Sequence, residues 1–469
     1  MAQFDPQTEE FLQRLGEAQA QLDAGFAHLP ASEPRALNED AAAILGEAAL
    51  RLRDNDPYAH PLYAGQMLKP PHPIARAAYA MAMSVNPNNH ALDGGRASSA
   101  MEFEAVAALA KMFRWPQHLG HLASSGTFAN LEALWVAGQL HREQGSARAV
   151  AASDQAHYTH QRISGVLGLP FVCIRSHSSG RMDLDDLERA LRTQDIGTVV
   201  ATLGTTAVGA VDPLDRIVEL RKNYGFRVHA DAAYGGYFTL ARNLRAETRA
   251  AFDAIPHADS LVVDPHKHGL QPYGCGCILF RDPAVGRFYK HDSPYTYFTS
   301  KELHLGEISL ECSRAGASAV ALWATQRLLP YDSGGEFARG LEAGREAALA
   351  MRSRLAADAR FVLPIAPPAL DILFWAPRGS TREESSARSQ AIFDEARRRD
   401  LYLALATLPA RFFPPATWPD STVGDAPVTC LRSVMMKPEH LVWVEEIWRR
   451  LDGAVNVVVG QLNPGVNTQ

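Results

Sequence analysis

Lys267 stands between two histidines in VVDPHKHGLQPYGCG, directly after an apolar run and an Asp-Pro break. A lysine set among aromatic and small residues can be a surface charge, a phosphate ligand, or an amine nucleophile that condenses with a carbonyl. Asp231 follows another apolar run in VHADAAYGGY, and Ala232 and Ala233 come straight after it. A carboxylate at the end of a buried run needs a cationic or hydrogen-bonding partner, unless it only closes the strand in a turn. The small residues beside it leave flat space suited to a planar ring. A third stretch, HLASSGTFANLEALW from His121, sets Ser, Gly and Thr ahead of a helix. The unpaired amides and the dipole of a helix start favour an anion there. A plain cap by Ser125 or Thr127 is the alternative. The stretch is neither the Gly-x-Gly-x-x-Gly dinucleotide turn nor a phosphate loop with Gly-Lys-Ser/Thr.

These side chains can act together only if the elements that carry them converge. From about 76 to 330, short apolar runs read as strands: ARAVAAS, FVCIRS, TVVATLG, FRVHADAAY, SLVVDPH and CGCILFRD. Helical stretches such as DLDDLERALRTQ and LDRIVELRKNYG lie between them. Alternation of this kind predicts parallel strands with right-handed crossovers, and such sheets place ligands at the carboxyl ends of their strands. All three stretches fall at such ends. A phosphate cradle, an aspartate and a lysine at strand-end turns are the layout that a pyridoxal phosphate (PLP) site needs. The lysine carries the aldehyde, the aspartate keeps the ring nitrogen protonated, and the cradle anchors the phosphate.

The rest of the chain sets the frame. Its 469 residues allow two or three domains. Residues 1–75 read as helix and Pro-rich linker without a core of their own, so they are expected to lie against something else, such as a second subunit. Residues 76–330 form the large cofactor-binding domain, and 331–469 a small C-terminal α+β domain. The net charge of −6 argues against a nucleic-acid or anionic-membrane binder. No apolar run nears the roughly 20 residues of a membrane span. The acidic N-terminal stretch lacks the features of a secretion signal. Five scattered cysteines make no disulfide framework, and nothing suggests a metal. The cytoplasm is the expected compartment.

The order and wording of these motifs resemble the group II PLP-dependent amino-acid decarboxylases, which include aromatic-amino-acid, tyrosine and glutamate decarboxylases. The resemblance runs from NPNNHALDGGRASSAMEFE at Asn86 to Gly316, with a weaker echo in LRSVMMKPEH. It implies an α/β fold of the aspartate-aminotransferase type (fold type I), with a large parallel or mixed sheet, and an obligate homodimer. In SDQAHYTH, His157 would stack on the cofactor ring. In ATLGTTAVGAVD, Thr206 matches the threonine that reaches the ring hydroxyl better than Thr205 does. HADAAYGG gives Asp231 for the pyridine nitrogen and Ala233 under the ring, and DPHKHG gives Lys267 for the Schiff base and His266 near the phosphate. SSGTFAN gives Gly126 and Thr127 to the phosphate, and ECSRAGASAVALW gives Ser313 to a phosphate across the dimer.

Other positions are less settled. Asn89 and His90 could face the substrate from the other subunit, and for Arg96 a surface role is as good a reading. The stretch from Tyr289 to Ser300 resembles a mobile lid that supplies a proton donor, Tyr295 or Tyr297. Many relatives carry tryptophan after the lysine; here it is His268. The implied reaction is decarboxylation of an L-amino acid to its amine, with an aromatic, tyrosine-like substrate favoured by Tyr295, Tyr297 and Phe298. The alternatives are an acidic amino acid as substrate, a carbon–carbon lyase of the sphingosine-phosphate-lyase kind, an oxidative, aldehyde-forming decarboxylase, and a protein that binds PLP without turnover.

Overall fold

The structure, a computed structural model, describes residues 6–30, 38, 40–290, 303–415, 417–418 and 426–462. Seven strands build the main sheet: β1 (Leu119–Ala123), β2 (Ala149–Ser153), β3 (Phe171–Ile174), β4 (Ile196–Thr202), β5 (Arg227–Asp231), β6 (Ser260–Val263) and β7 (Gly276–Phe280). Their order is β1-β7-β6-β5-β4-β2-β3. From β2 to β6 all pairings are parallel, and β2, β4 and β6 are buried along their whole length. Burial on both faces explains why these strands read as unbroken apolar runs rather than alternating ones.

The expected parallel or mixed sheet is mixed: β7 runs antiparallel to both β1 and β6. A parallel return needs a crossover of a dozen or more residues, usually a helix. The link from β6 to β7 spends its residues on the Asp264–Lys267 turn instead, where the Lys267 amide donates to the Asp264 carbonyl at 2.9 Å. The segment that bears the lysine, residues 264–275, is therefore a connection without a helix between two buried strands. A tyrosine, Tyr237, packs under it so closely that a Cβ on Gly269 would come within 2.4 Å of the phenol oxygen.

A second sheet holds β8 (Phe361–Val362), β9 (Ile372–Pro377), β10 (Ala404–Pro409) and β11 (Pro427–Val434), antiparallel in the order β10-β11-β9-β8. The helices Glu336–Ala356, Arg382–Arg398 and His440–Leu462 cover it. An early segment joins this sheet from far away in sequence. The Ala64 amide donates to the Tyr402 carbonyl at 2.9 Å, and the Val434 amide to the Ala64 carbonyl at 2.8 Å.

The helices Pro6–Ala24 and Asp40–Leu52 contain no buried residue. The first touches the helix Pro73–Val85, where the Arg76 guanidinium lies 4.6 Å over the Phe11 ring. No helix among the described residues is long and apolar enough to cross a membrane.

Candidate active site

Three strand ends and one helix start open into a cavity of about 170 Å³. β4 brings Thr202, β5 brings Asp231, and the turn after β6 brings Asp264, His266 and Lys267. The helix Gly126–Glu143 presents Gly126 and Thr127 with Ser125 as its N-cap; the Ser125 hydroxyl accepts from the Phe128 amide at 3.2 Å. His157 comes from the turn after β2, and Thr206 and Ala233 complete the expected set. A crevice elsewhere, lined by Arg181 and Pro364, is larger at about 330 Å³. Chemistry rather than volume singles out the smaller one.

Gly126 is required at the helix start. A Cβ there would lie 2.5 to 2.9 Å from the Asp264 carboxyl group. With no side chain, the first turn of the helix can approach the lysine-bearing turn closely and keep its amides open to an anion.

The charges form one buried set. Lys267 Nζ lies 3.0 Å from Asp264 Oδ2. Burial alone would lower the pKa of this ammonium, but Asp264 and Asp231 outweigh it and hold it above the usual value. Asp231 is 5% exposed. Burial pushes its carboxyl up, but the hydrogen bond and charge of His160, with His229 and Lys267, hold it well below the usual carboxylate range. His160 Nε2 sits 2.8 Å from Asp231 Oδ2, while Oδ1 accepts the Ala233 amide at 3.1 Å. Burial depresses His157, so its ring stays neutral at neutral pH.

This set fits the pyridine cofactor. Asp231 is an ionised carboxylate available to a protonated ring nitrogen, and Lys267 brings an amino group that can condense with an aldehyde once its proton is given up, with Asp264 beside it at 3.0 Å. Among the described residues, two buried polar atoms of the lining have no hydrogen-bond partner: Asp264 Oδ1 and Thr202 Oγ1. Orphaned polar atoms in a cavity ask for a polar occupant.

Of the two threonines, Thr206 lines the cavity. Thr205 is buried and spends its hydroxyl on the Ala210 amide at 3.0 Å. Asn89, His90 and Ser313 are not among the lining residues. The Asn89 amide group donates to Glu102 at 2.6 Å, and the Asn88 amide group to Ser313 Oγ at 3.3 Å. Arg96 is exposed. Tyr295 and Tyr297, and with them most of the expected lid, lie outside the described residues.

Sequence reasoning passed over three groups. His160 was in view three residues after His157, a helical spacing that places both near one site. Asp264 opens the DPHKHG motif itself. Arg432, in LRSVMM, reaches the cavity's edge from β11: its guanidinium donates to the Thr206 carbonyl at 2.6 Å and the Ala207 carbonyl at 2.8 Å. It also donates to the Gly65 carbonyl at 3.3 Å and to Gln66 Oε1 at 3.2 Å, so this buried guanidinium is spent on four protein acceptors.

Residues 38–377 match the family model described as the pyridoxal-dependent decarboxylase conserved domain. An L-tyrosine decarboxylase of Enterococcus faecium is 30% identical over 386 residues, covering 62% of this chain and 63% of that protein. This chain thus spans less than two thirds of that relative's length. A probable L-tyrosine/L-aspartate decarboxylase of Methanothermobacter thermautotrophicus is 30% identical over 264 residues, covering 56% of this chain and 70% of that protein. An L-2,4-diaminobutyrate decarboxylase of Acinetobacter baumannii is 31% identical over 260 residues, covering 52% and 49%. Among solved structures, Oryza sativa TDC with PLP and tryptamine superposes with a TM-score of 0.76 at 18% identity, over 97% of this chain and 99% of that one. Mouse CSAD gives 0.75 at 19% identity, over the same shares. At such identities these structures speak for the fold.

Proposed function

Since this chain belongs to the pyridoxal-dependent decarboxylase family, we propose that it removes the α-carboxylate of an aromatic, tyrosine-like L-amino acid as carbon dioxide and releases the amine. The observation that carries this reading is the convergence of Lys267, Asp231 and the Gly126 helix start on one cavity. Bound there, PLP supplies an electron sink conjugated with the substrate's amino group.

The chain's residues divide the remaining work. Gly126 and Thr127 receive the phosphate at the helix start. Asp231 holds a proton on the ring nitrogen, and His160 keeps Asp231 ionised for that task. His157 and Ala233 bound the space for a flat ring. Lys267 binds the aldehyde and gives it up to the substrate's amine. Arg432 holds the Thr206 and Ala207 backbone in place. Tyr295 or Tyr297 returns a proton to Cα.

The aromatic preference draws on the tyrosine decarboxylase relative. A panel of the twenty amino acids with carbon dioxide and amine as readouts tests it. Tyrosine or a related aromatic acid is expected to turn over at least about tenfold faster than aspartate, glutamate or diaminobutyrate, the spread that one well-fitted apolar group supplies. Fastest release from an acidic or diamino substrate would overturn the aromatic assignment. Aldehyde in place of amine would replace simple decarboxylation by the oxidative reaction.

The same reading includes a homodimer. Ile44, Leu45, Leu50 and Leu52 are each more than 60% exposed on a helix with no buried face. Exposed apolar surface of this kind marks an interface. In the dimer, His90 and Ser313 would serve the partner's cavity, whereas Asn89 is fully buried in its own protomer and bonded to Glu102 and Ser98, which corrects its expected role. Light scattering at working concentration is expected to give twice the chain mass of 51.2 kDa, and an active monomer would rule the dimer out.

A further inference from the structure

Beyond the turn that carries Lys267 lies a second cavity, of about 520 Å³. It shares no lining residue with the cofactor cavity. The volume falls in the range of small-molecule sites, roughly 300–1,000 Å³. Leu270, Leu329, Phe337 and Leu341 give it apolar walls, and Lys69, Lys437 and His268 add cationic and polar groups to the lining.

These three groups are poorly served by the protein. Lys437 is 3% exposed and donates to the Tyr63 carbonyl at 2.6 Å. Lys69 Nζ reaches the Met436 carbonyl only at 3.4 Å. Among the described residues no carboxylate lies within 4 Å of either ammonium. His268 is 1% exposed, and both its ring nitrogens lack a hydrogen bond; Nε2 is 3.3 Å from Asp371 Oδ2 but out of bonding geometry. The Asp371 carboxyl instead accepts the Tyr234 hydroxyl at 2.6 Å. The acids that do line the cavity, Glu336 and Glu439, are exposed, as is Arg339 beside them.

Two neighbouring ammonium groups, Lys437 buried and Lys69 half-buried, repel each other and lose hydration, which the exposed Glu439 offsets only in part. Burial pushes Lys437 down to about 7, with Lys69 adding to the effect. Burial also pushes Lys69 down to about 8, against the pull of Asp371 and Glu439. A negative group seated beside them would offset both costs. The space for it exists because residue 268 is a histidine: the tryptophan that the resemblance leads one to expect has a larger ring, which would take up part of that room.

We propose that this cavity binds a small organic anion, with its carboxylate or phosphate head at Lys69, Lys437 and His268 and its apolar body against Leu270, Leu329 and Leu341. The site lies outside the cofactor cavity and does not depend on the substrate assignment.

The probes are hexanoate, hexyl phosphate and, as the cationic control, hexylamine. Each is titrated calorimetrically into the holoenzyme, and its effect on the melting temperature is followed, since a ligand of the native state raises it. At least one anion is expected to bind saturably and hexylamine not to bind; the tighter anion identifies the head group. Lys437→Met is expected to weaken that anion about tenfold or more, the loss of one charge-assisted contact. His268→Trp, which fills the space without removing a charge, is expected to weaken it as much. Both variants should keep the visible absorbance of bound cofactor. Absence of binding by either anion overturns the proposal, as does equal binding of hexylamine. Undiminished affinity in His268→Trp, or in Lys437→Met where it folds, places the anion elsewhere and overturns it too.

Discussion

Asp231→Asn is expected to leave a folded, cofactor-loaded protein whose turnover has fallen by about 10²–10³, the rate equivalent of a few kcal/mol. The carboxylate is asked to hold one proton on a ring nitrogen, and an amide cannot supply the charge. The fold should survive because Asn keeps the size and can still accept the Ala233 amide at Oδ1. The pH dependence follows from the depressed pKa. A carboxyl held below its unfolded value contributes stability above that value and loses it as pH falls through the folded pKa. Asp231 therefore stays ionised across the working range, and the acid limb of the rate profile belongs to another group. His160→Leu is the companion test. It removes the 2.8 Å contact to Asp231 Oδ2 and is expected to act in the same direction by about tenfold, with a changed cofactor absorbance. Near-native turnover in Asp231→Asn would remove this residue from the mechanism.

The second large effect is at Lys267. The holoenzyme should be yellow, and borohydride should fix the cofactor to the chain on the peptide that contains Lys267. Lys267→Ala should lose both the label and about 10³ or more in turnover, since no other amine remains to exchange with the substrate's. Lys69 and Lys437 are the instructive controls. Lys437 is buried and Lys69 half-buried, and burial lowers both pKa values, which makes them reactive amines in principle. They line a different cavity, on the other side of the turn. A label found on either one would show that the aldehyde is held there and not at the end of β6.

Much of this geometry could be read from the residues, for a definite reason. Strands buried on both faces spell continuous apolar runs, so β2, β4, β6 and β7 stand out in the sequence. β1 does not, because HLGHLA interrupts its run with glycine and histidine; His121 is buried there with Nε2 paired to Glu132 at 2.9 Å and Nδ1 near the Leu122 carbonyl at 2.8 Å. β10 is equally hidden, since it lies at the edge of its sheet and is only partly buried. Lys267, Asp231 and Gly126 were legible because each punctuates an element. His160 and Arg432 were not, because their roles come from tertiary neighbours: β5 beside the first, and Thr206 beside the second. Thr205 and Thr206 could be separated only by seeing which hydroxyl the Ala210 amide occupies.

The pairing of Ala64 with β11 has a consequence for the order of events during synthesis. The hydrogen bond from the Ser433 hydroxyl to the Ala64 carbonyl spans 369 residues of sequence. At about 5–20 residues per second, roughly 20–75 s separate the emergence of its two partners from the ribosome. The central sheet can assemble while the chain is still growing. The C-terminal sheet cannot, because the segment that borders it leaves the ribosome first and β11 nearly last. During that interval the backbone around Ala64 must stay unpaired and free of wrong partners. Tyr63 and Leu62 beside it, buried in the finished protein, are exposed throughout the wait. The nascent chain thus carries an apolar, hydrogen-bond-hungry segment for most of its translation, which is the kind of stretch that holding chaperones recognise.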